Sequence, residues 1–296
     1  MGMRRASEFQ KARKYTARMI LSFTPTEAAA SSTALALGLP SVVALAAYGL
    51  AAALREGAPQ GVRAALALAW LAHAAAIVVD IAGIGSDIPG ARFGFAPALS
   101  MTLWFVLAVY GIESRFVPLP GVRRSLAILG LVAVALAWAF PGELRPQAPT
   151  RWAPLHWVLG LASYGLFGAA VLHAAMMSRA EGQLRRKALG PTTVPSGLPL
   201  LRLERLTYRF VGAGFVVLSA ALVLGAWFAN PWRWDHKTVF SLLGWIVFAG
   251  LLAGHHGLGW RGPRATRWLY AGAALLLLGY VGSRFVFEVL LHRVPA

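Results

Sequence analysis

No cysteine occurs among the 296 residues. The chain therefore has no disulfide, no thiolate metal site, no covalent anchor for a c-type heme and no thiol redox chemistry of its own. Any thiol must come from a partner. Charge is also scarce: Asp, Glu, Lys and Arg make up 13% of the sequence, against about a quarter in soluble domains. Acidic residues are the rarest part, 11 against 28 basic ones, for a formal net charge of +17. The basic residues stand in connections between apolar runs, where they orient helices and meet anionic lipid, so nucleic acid is excluded as a partner and membrane lipid is expected.

Apolar residues, 58% of the chain, fill what remains. They fall into runs at residues 32–54, 62–84, 95–112, 125–140, 154–178, 210–230, 238–257 and 268–291. A bilayer span takes about 20 such residues, so the reading is all-α: a polytopic transmembrane bundle of about eight helices, with residues 31–296 as one domain. Residues 1–30 form an N-terminal extension. Its first eighteen residues hold six basic side chains and no closely following apolar segment of the kind a cleaved signal peptide needs, which makes Met19 an alternative start. The segment Arg179 to Arg209, with seven basic residues, reads as a loop with a short amphipathic helix.

Alternate connections differ in Lys and Arg. One set holds fifteen, counting the seven of the 179–209 segment, and the other holds six. The positive-inside tendency therefore puts the 179–209 segment in the cytoplasm. Histidines sort by the same topology: His156, His236 and His292 at the outer face, His173, His255 and His256 toward the inner face, and His73 in mid-membrane. Two neutral imidazoles from different elements can ligate one heme iron, although a histidine at the headgroups also serves as a plain polar anchor.

His73 and Asp80 are seven residues apart in the second run and so share a helical face. Ionisable groups at that depth are costly and face the bundle interior. His73 reads as a further heme ligand or as a proton-sharing partner of Asp80, and the pair as an interhelical clamp or as the midplane site of a small-molecule or ion transporter. Arg284 and Glu288, one turn apart, read as a local ion pair, and Glu288 stands one turn before His292, whose ring it could orient.

Between the sixth and seventh runs lies Ala226-Trp227-Phe228-Ala229-Asn230-Pro231-Trp232-Arg233-Trp234-Asp235-His236-Lys237. This stretch resembles a reduced form of the tryptophan-rich outer loop of the CcsA/CcmC heme-handling proteins, the cytochrome c assembly superfamily. Trp232, Trp234, Asp235 and Lys237 match the end of that motif, with His236 where the family has proline. Leu155-His156-Trp157 resembles the outer ligand before the loop. His292, after Gly279-Tyr280-Val281-Gly282-Ser283-Arg284-Phe285-Val286, resembles the ligand following it. His255, ahead of Gly259-Trp260-Arg261-Gly262, stands near the position of an inner heme histidine but closer to that turn than the family pattern has it.

The resemblance implies a membrane protein that binds or passes heme b for cytochrome c assembly. His156 and His292 would be the ligands of the heme iron, with other cytochrome c maturation components as partners. It is most similar to the smaller YpjD and HemX-like branch of bacterial inner-membrane proteins. The loop has fewer glycines and tryptophans than the full motif and no large outer domain accompanies it, so the chain does not resemble a complete synthase. The other readings are a transporter using His73 and Asp80, and a non-catalytic accessory membrane subunit.

Overall fold

The structure is a computed structural model that describes residues 25–54, 59–82, 84, 90–115, 122–146, 152–187, 200–228 and 234–291. The described residues form eight helices: α1 (Pro25–Ala53), α2 (Pro59–Ala82), α3 (Phe95–Glu113), α4 (Val122–Ala139), α5 (Ala153–Lys187), α6 (Leu200–Phe228), α7 (His236–Leu258) and α8 (Gly262–Leu290). Seven, α2 through α8, are long and apolar enough to cross a membrane. The apolar part of α1, Gly38–Ala53, is shorter.

The helices pack in two groups of four. Tyr48 of α1, Ala69 of α2, Leu107 of α3 and Leu126 of α4 belong to one buried cluster. Phe167 of α5, Val211 of α6, Phe248 of α7 and Leu269 of α8 belong to the other, where the Phe167 and Phe248 rings stack at 3.8 Å. The groups meet where α3 packs on α5. Large apolar side chains such as Leu71, Val78, Val216 and Ile246 point outward. In water that pattern would be an aggregation hazard; against lipid tails it is the expected surface.

Polar pairs join neighbouring helices within each group. Trp70 of α2 donates its indole N–H to the carbonyl of Trp104 on α3 at 3.2 Å, and Trp104 donates its own to the carbonyl of Trp70 at 3.1 Å. The two rings stack 4.7 Å apart. In the second group, Trp245 of α7 donates to the Ser219 hydroxyl of α6 at 2.8 Å.

Helix ends follow local sequence. Asp235 caps α7 by accepting from the backbone N–H of Thr238 at 2.8 Å and from its hydroxyl at 2.9 Å. Gly259, at φ 65°, ends that helix in the left-handed conformation that glycine adopts at little cost. Pro263 then stands in the first turn of α8, where its missing N–H costs nothing.

Two features depart from the sequence reading. The 179–209 segment is largely helix: α5 runs on to Lys187, α6 starts at Leu200, and only 188–199 lie outside the described residues. Its Arg, Leu, Gln and Glu residues are good helix formers, so both helices extend past the bilayer core of about 30 Å. The second feature is a ribbon. Gly90–Phe93 (β1), just before α3, pairs antiparallel with Glu143–Pro146 (β2), just after α4, so that Phe93 faces Glu143. Neither four-residue piece carries enough alternation to be read as a strand. The segment 1–24, which holds Met19, lies outside the described residues.

Candidate functional site

A cavity of about 510 Å³ lies at the end of the bundle that carries the ribbon. It takes walls from both helix groups. β1 and the first turns of α3 contribute Arg92, Phe93 and Met101; α5 contributes His156, Trp157 and Leu161; α6 contributes Leu218 and Ala221; α7 contributes Lys237; and α8 contributes Tyr280 and Arg284. The size falls in the range of small-molecule and cofactor sites, roughly 300–1,000 Å³. The wall is mainly apolar and aromatic, and three cations and one imidazole interrupt it.

His156 is held in one orientation. Its Nδ1–H donates to the Ala221 carbonyl of α6 at 2.9 Å. A carbonyl can only accept, so in the neutral ring the lone pair sits on Nε2. The ring reaches that carbonyl because residue 225 is glycine: a Cβ there would come to 2.8 Å from His156 Cε1. Trp157 meets the Phe93 ring edge-on at 4.5 Å and continues the same wall.

The far end of α8 winds differently from an ordinary helix. Leu278–Gly282 and Val286–Leu290 are π-helical turns, separated by Ser283–Phe285. Just before them, the Leu276 carbonyl accepts the Tyr164 hydroxyl of α5 at 2.6 Å. Side-chain capture of a backbone carbonyl and a wide turn commonly occur together, often at functional sites. Tyr280, Val281 and Arg284 all line the cavity from this segment. Arg284, 3% exposed, has Nη1 3.4 Å from Glu143 and 3.8 Å from Glu288. Glu288 also accepts from the backbone N–H of Phe95 at 3.4 Å. The expected Arg284–Glu288 pair is thus present and is joined by the ribbon.

The residues expected from the sequence are not all gathered here. His156 and Lys237 line the cavity. Asp235 and His236, at the α7 cap next to Lys237, do not line it, and the His236 ring lies 5.7 Å from Phe287. Hydrogen bonds from Thr238, with Lys237 and His236 close by, outweigh the opposing effect of burial and hold the Asp235 carboxyl below its ordinary value. Trp234 is 71% exposed on the approach to α7. Trp232 and His292 lie outside the described residues.

His255 sits at the other end of α7, about 28 Å along the helix from His236. Its ring stacks on Tyr208 at 3.4 Å and Nδ1–H donates to the Trp260 carbonyl at 3.2 Å. His73 is buried inside the first helix group. Nδ1 lies 3.1 Å from the Tyr48 hydroxyl and Nε2 2.7 Å from the Ser100 hydroxyl. Both nitrogens are engaged, so His73 clamps α1, α2 and α3 together, and the expected sharing with Asp80 is replaced by these two hydroxyls.

Sequence reading gave Glu113 no partner and no role. It is buried at the end of α3 and meets His173 Nε2 at 2.8 Å, while the His173 Nδ1–H donates to the Ala169 carbonyl at 2.7 Å. Among the described residues no three His, Cys, Asp or Glu side chains form a metal cluster, although a heme iron needs only one or two axial ligands.

Residues 59–291 match the family described as Cytochrome C assembly protein. The chain belongs to that family. It is 28% identical over 217 residues to the Cytochrome c biogenesis protein CcsA of Synechococcus sp. (strain CC9902), a match covering 62% of this chain and 71% of that one. It is 33% identical over 165 residues to the Inner membrane protein YpjD of Escherichia coli (strain K12), covering 54% and 62%. An uncharacterized 28.8 kDa protein of Azospirillum brasilense is 30% identical over 211 residues, covering 65% and 76%. The match thus spans somewhat less than two thirds of YpjD's length. No solved structure matches. The protein is accordingly a multi-pass membrane member of the cytochrome c assembly family, similar to YpjD.

Proposed function

We propose that the protein binds heme b in this cavity and holds or passes it for cytochrome c assembly. The observation that carries the proposal is the imidazole of His156, set into the cavity wall with its tautomer fixed by the Ala221 carbonyl. A hydrogen bond from the other ring nitrogen to a carbonyl orients metal-binding histidines and raises their basicity. Nε2 of His156 would supply one axial nitrogen to the iron. His292 is the proposed source of the second, with His236 in the first turn of α7 as the alternative. Trp157 and Tyr280 would flank the porphyrin, and Trp232 and Trp234 would extend the aromatic wall toward the headgroups.

The chain is proposed to lie in a bacterial inner membrane with the cavity at the outer face and the 179–209 segment in the cytoplasm, as the Lys and Arg distribution favours. Other cytochrome c maturation components are the proposed partners. Heme is the cargo in this reading, and the chain's own residues bind it, orient it and shield it from lipid.

The test is spectroscopic. The full chain, purified in mild detergent, is expected to give a low-spin Soret and alpha band. His156→Ala should abolish the spectrum or turn it high-spin, and added imidazole should restore the low-spin form by filling the vacated position. His292→Ala should behave alike. Loss of the spectrum in His236→Ala with His292→Ala unchanged would make His156 and His236 the pair. A His255→Ala variant that alone removes the spectrum would move the heme to the inner face and end this reading.

A further inference from the structure

We propose that Arg284, assisted by Lys237, recognises the carboxylate groups of the cavity's ligand, so that the site selects a porphyrin dicarboxylate over its neutral ester. The inference rests on the heme-binding reading above and concerns how the same site chooses its cargo.

Arg284 is the one charged residue in the interior of α8's span that lines the cavity. It is 3% exposed, and its Nε is buried with no hydrogen-bond partner among the described residues. A guanidinium stays charged and presents five N–H donors in a fixed fork. Leaving one unsatisfied at this depth is costly, which is unusual for a purely structural side chain.

The two acids near it do not resolve that cost. Nη1 stands 3.4 Å from Glu143 and 3.8 Å from Glu288, whereas a charge-assisted bond closes at about 2.7–2.9 Å. Glu143 accepts one long hydrogen bond from Nη1 and both carboxylates offset the charge, but Nε is left without an acceptor. A residue whose whole task was to strap β2 to α8 would close both pairs. Arg284 instead keeps an unspent N–H and lines a roomy cavity.

Other cations face the same space. Lys237, at the start of α7, carries its ammonium 5.8 Å from the Tyr280 ring centre, and Arg92 enters from β1. The rest of the wall, with Phe93, Trp157 and Leu161, is apolar. That combination suits an amphipathic ligand with a broad apolar body and anionic groups at one edge. A small hydrophilic anion would meet too much apolar surface, and a neutral lipid would offer nothing to the unsatisfied N–H of Arg284.

Hemin and hemin dimethyl ester test the idea, because they share iron and macrocycle and differ in the two carboxylates. Each is titrated into the purified full chain and followed by the Soret band. The wild type is expected to prefer hemin by about tenfold or more, as one or two charge-assisted bonds allow. Arg284→Gln should bring that ratio toward one. Arg284→Lys should keep part of it, and Lys237→Gln should lower it. A merely structural role would weaken both ligands together and leave the ratio unmoved, which overturns the proposal. So does equal binding of hemin and its ester by the wild type, an outcome that spares the heme reading. If neither molecule binds, the heme reading falls and takes this inference with it.

Discussion

The imidazole of His156 occupies the space that a side chain at Gly225 would fill: a Cβ there would lie 2.8 Å from Cε1 and 3.2 Å from Nδ1. Gly225→Ala is therefore expected to push the ring off the Ala221 carbonyl and to weaken low-spin heme binding. By itself the change favours the helix by about 0.5–1 kcal/mol. In a His156→Ala background the collision is gone and only that gain should remain. A double-mutant cycle on thermal unfolding in detergent reads the coupling. Equal effects of Gly225→Ala in both backgrounds would show that the contact does not matter.

Trp157 should contribute contact area and no ligand bond. Trp157→Leu is expected to lower heme retention by roughly two- to tenfold, the worth of an aromatic contact, without altering spin state. Trp234, 71% exposed, is expected to lower it less. A change to high spin in Trp157→Leu would mean that the wall also positions the axial ligand.

Glu113 and His173 tie α3 to α5 away from the cavity. His173→Ala would strand a buried acid, and the expected cost is about 3 kcal/mol, read as a lower thermal midpoint. The heme spectrum should be unaffected. Replacing both residues with Leu should recover most of the stability. A spectral change in His173→Ala with stability intact would assign this pair to the binding site.

Asp235 offers a pH test of the α7 cap. Its folded carboxyl lies below the ordinary 3.8, so the capping contribution is fully present above that value and is lost as pH falls through the lower, folded one. Asp235→Ala should cost about 1 kcal/mol at neutral pH. The difference between wild type and variant should shrink only below pH 3.8. A difference that already vanishes by pH 5 would mean that the carboxylate is not the cap.

Sidedness follows from charge and is tested by fusions. A reporter placed near residue 190 should report cytoplasm and one near residue 232 the outside, because the basic residues divide fifteen to six. Alkaline phosphatase activity at residue 190 would invert the whole arrangement and the face to which the cavity opens.

The helices were legible because each span must bury about 20 apolar residues in sequence, whatever its neighbours. His156 was legible through its setting beside Trp157, and Lys237 through the tryptophan-bearing stretch before it. What escaped depends on pairing across distance. Glu113 had no visible role because its partner is 60 positions away on α5. Asp80 looked like His73's partner because they share a face, yet Tyr48 and Ser100 come closer from other helices. The ribbon has too few residues to declare itself, and the π turns of α8 have no local sequence mark. Arg284 did carry a signal, a lone cation within a span, but reading it beside Glu288 alone hid the contribution of Glu143.

The crossed indole bonds of Trp70 and Trp104 act as a ratchet stop between α2 and α3. Each donor belongs to the residue whose carbonyl receives the other, so one helix cannot slide past its neighbour without breaking both bonds at once. Ser100, one turn before Trp104 on α3, therefore meets His73 at a fixed depth, and the opening turns of α3 stay in register with the chamber they help to enclose. The mouth of the site is set from below, by two side chains that never touch it.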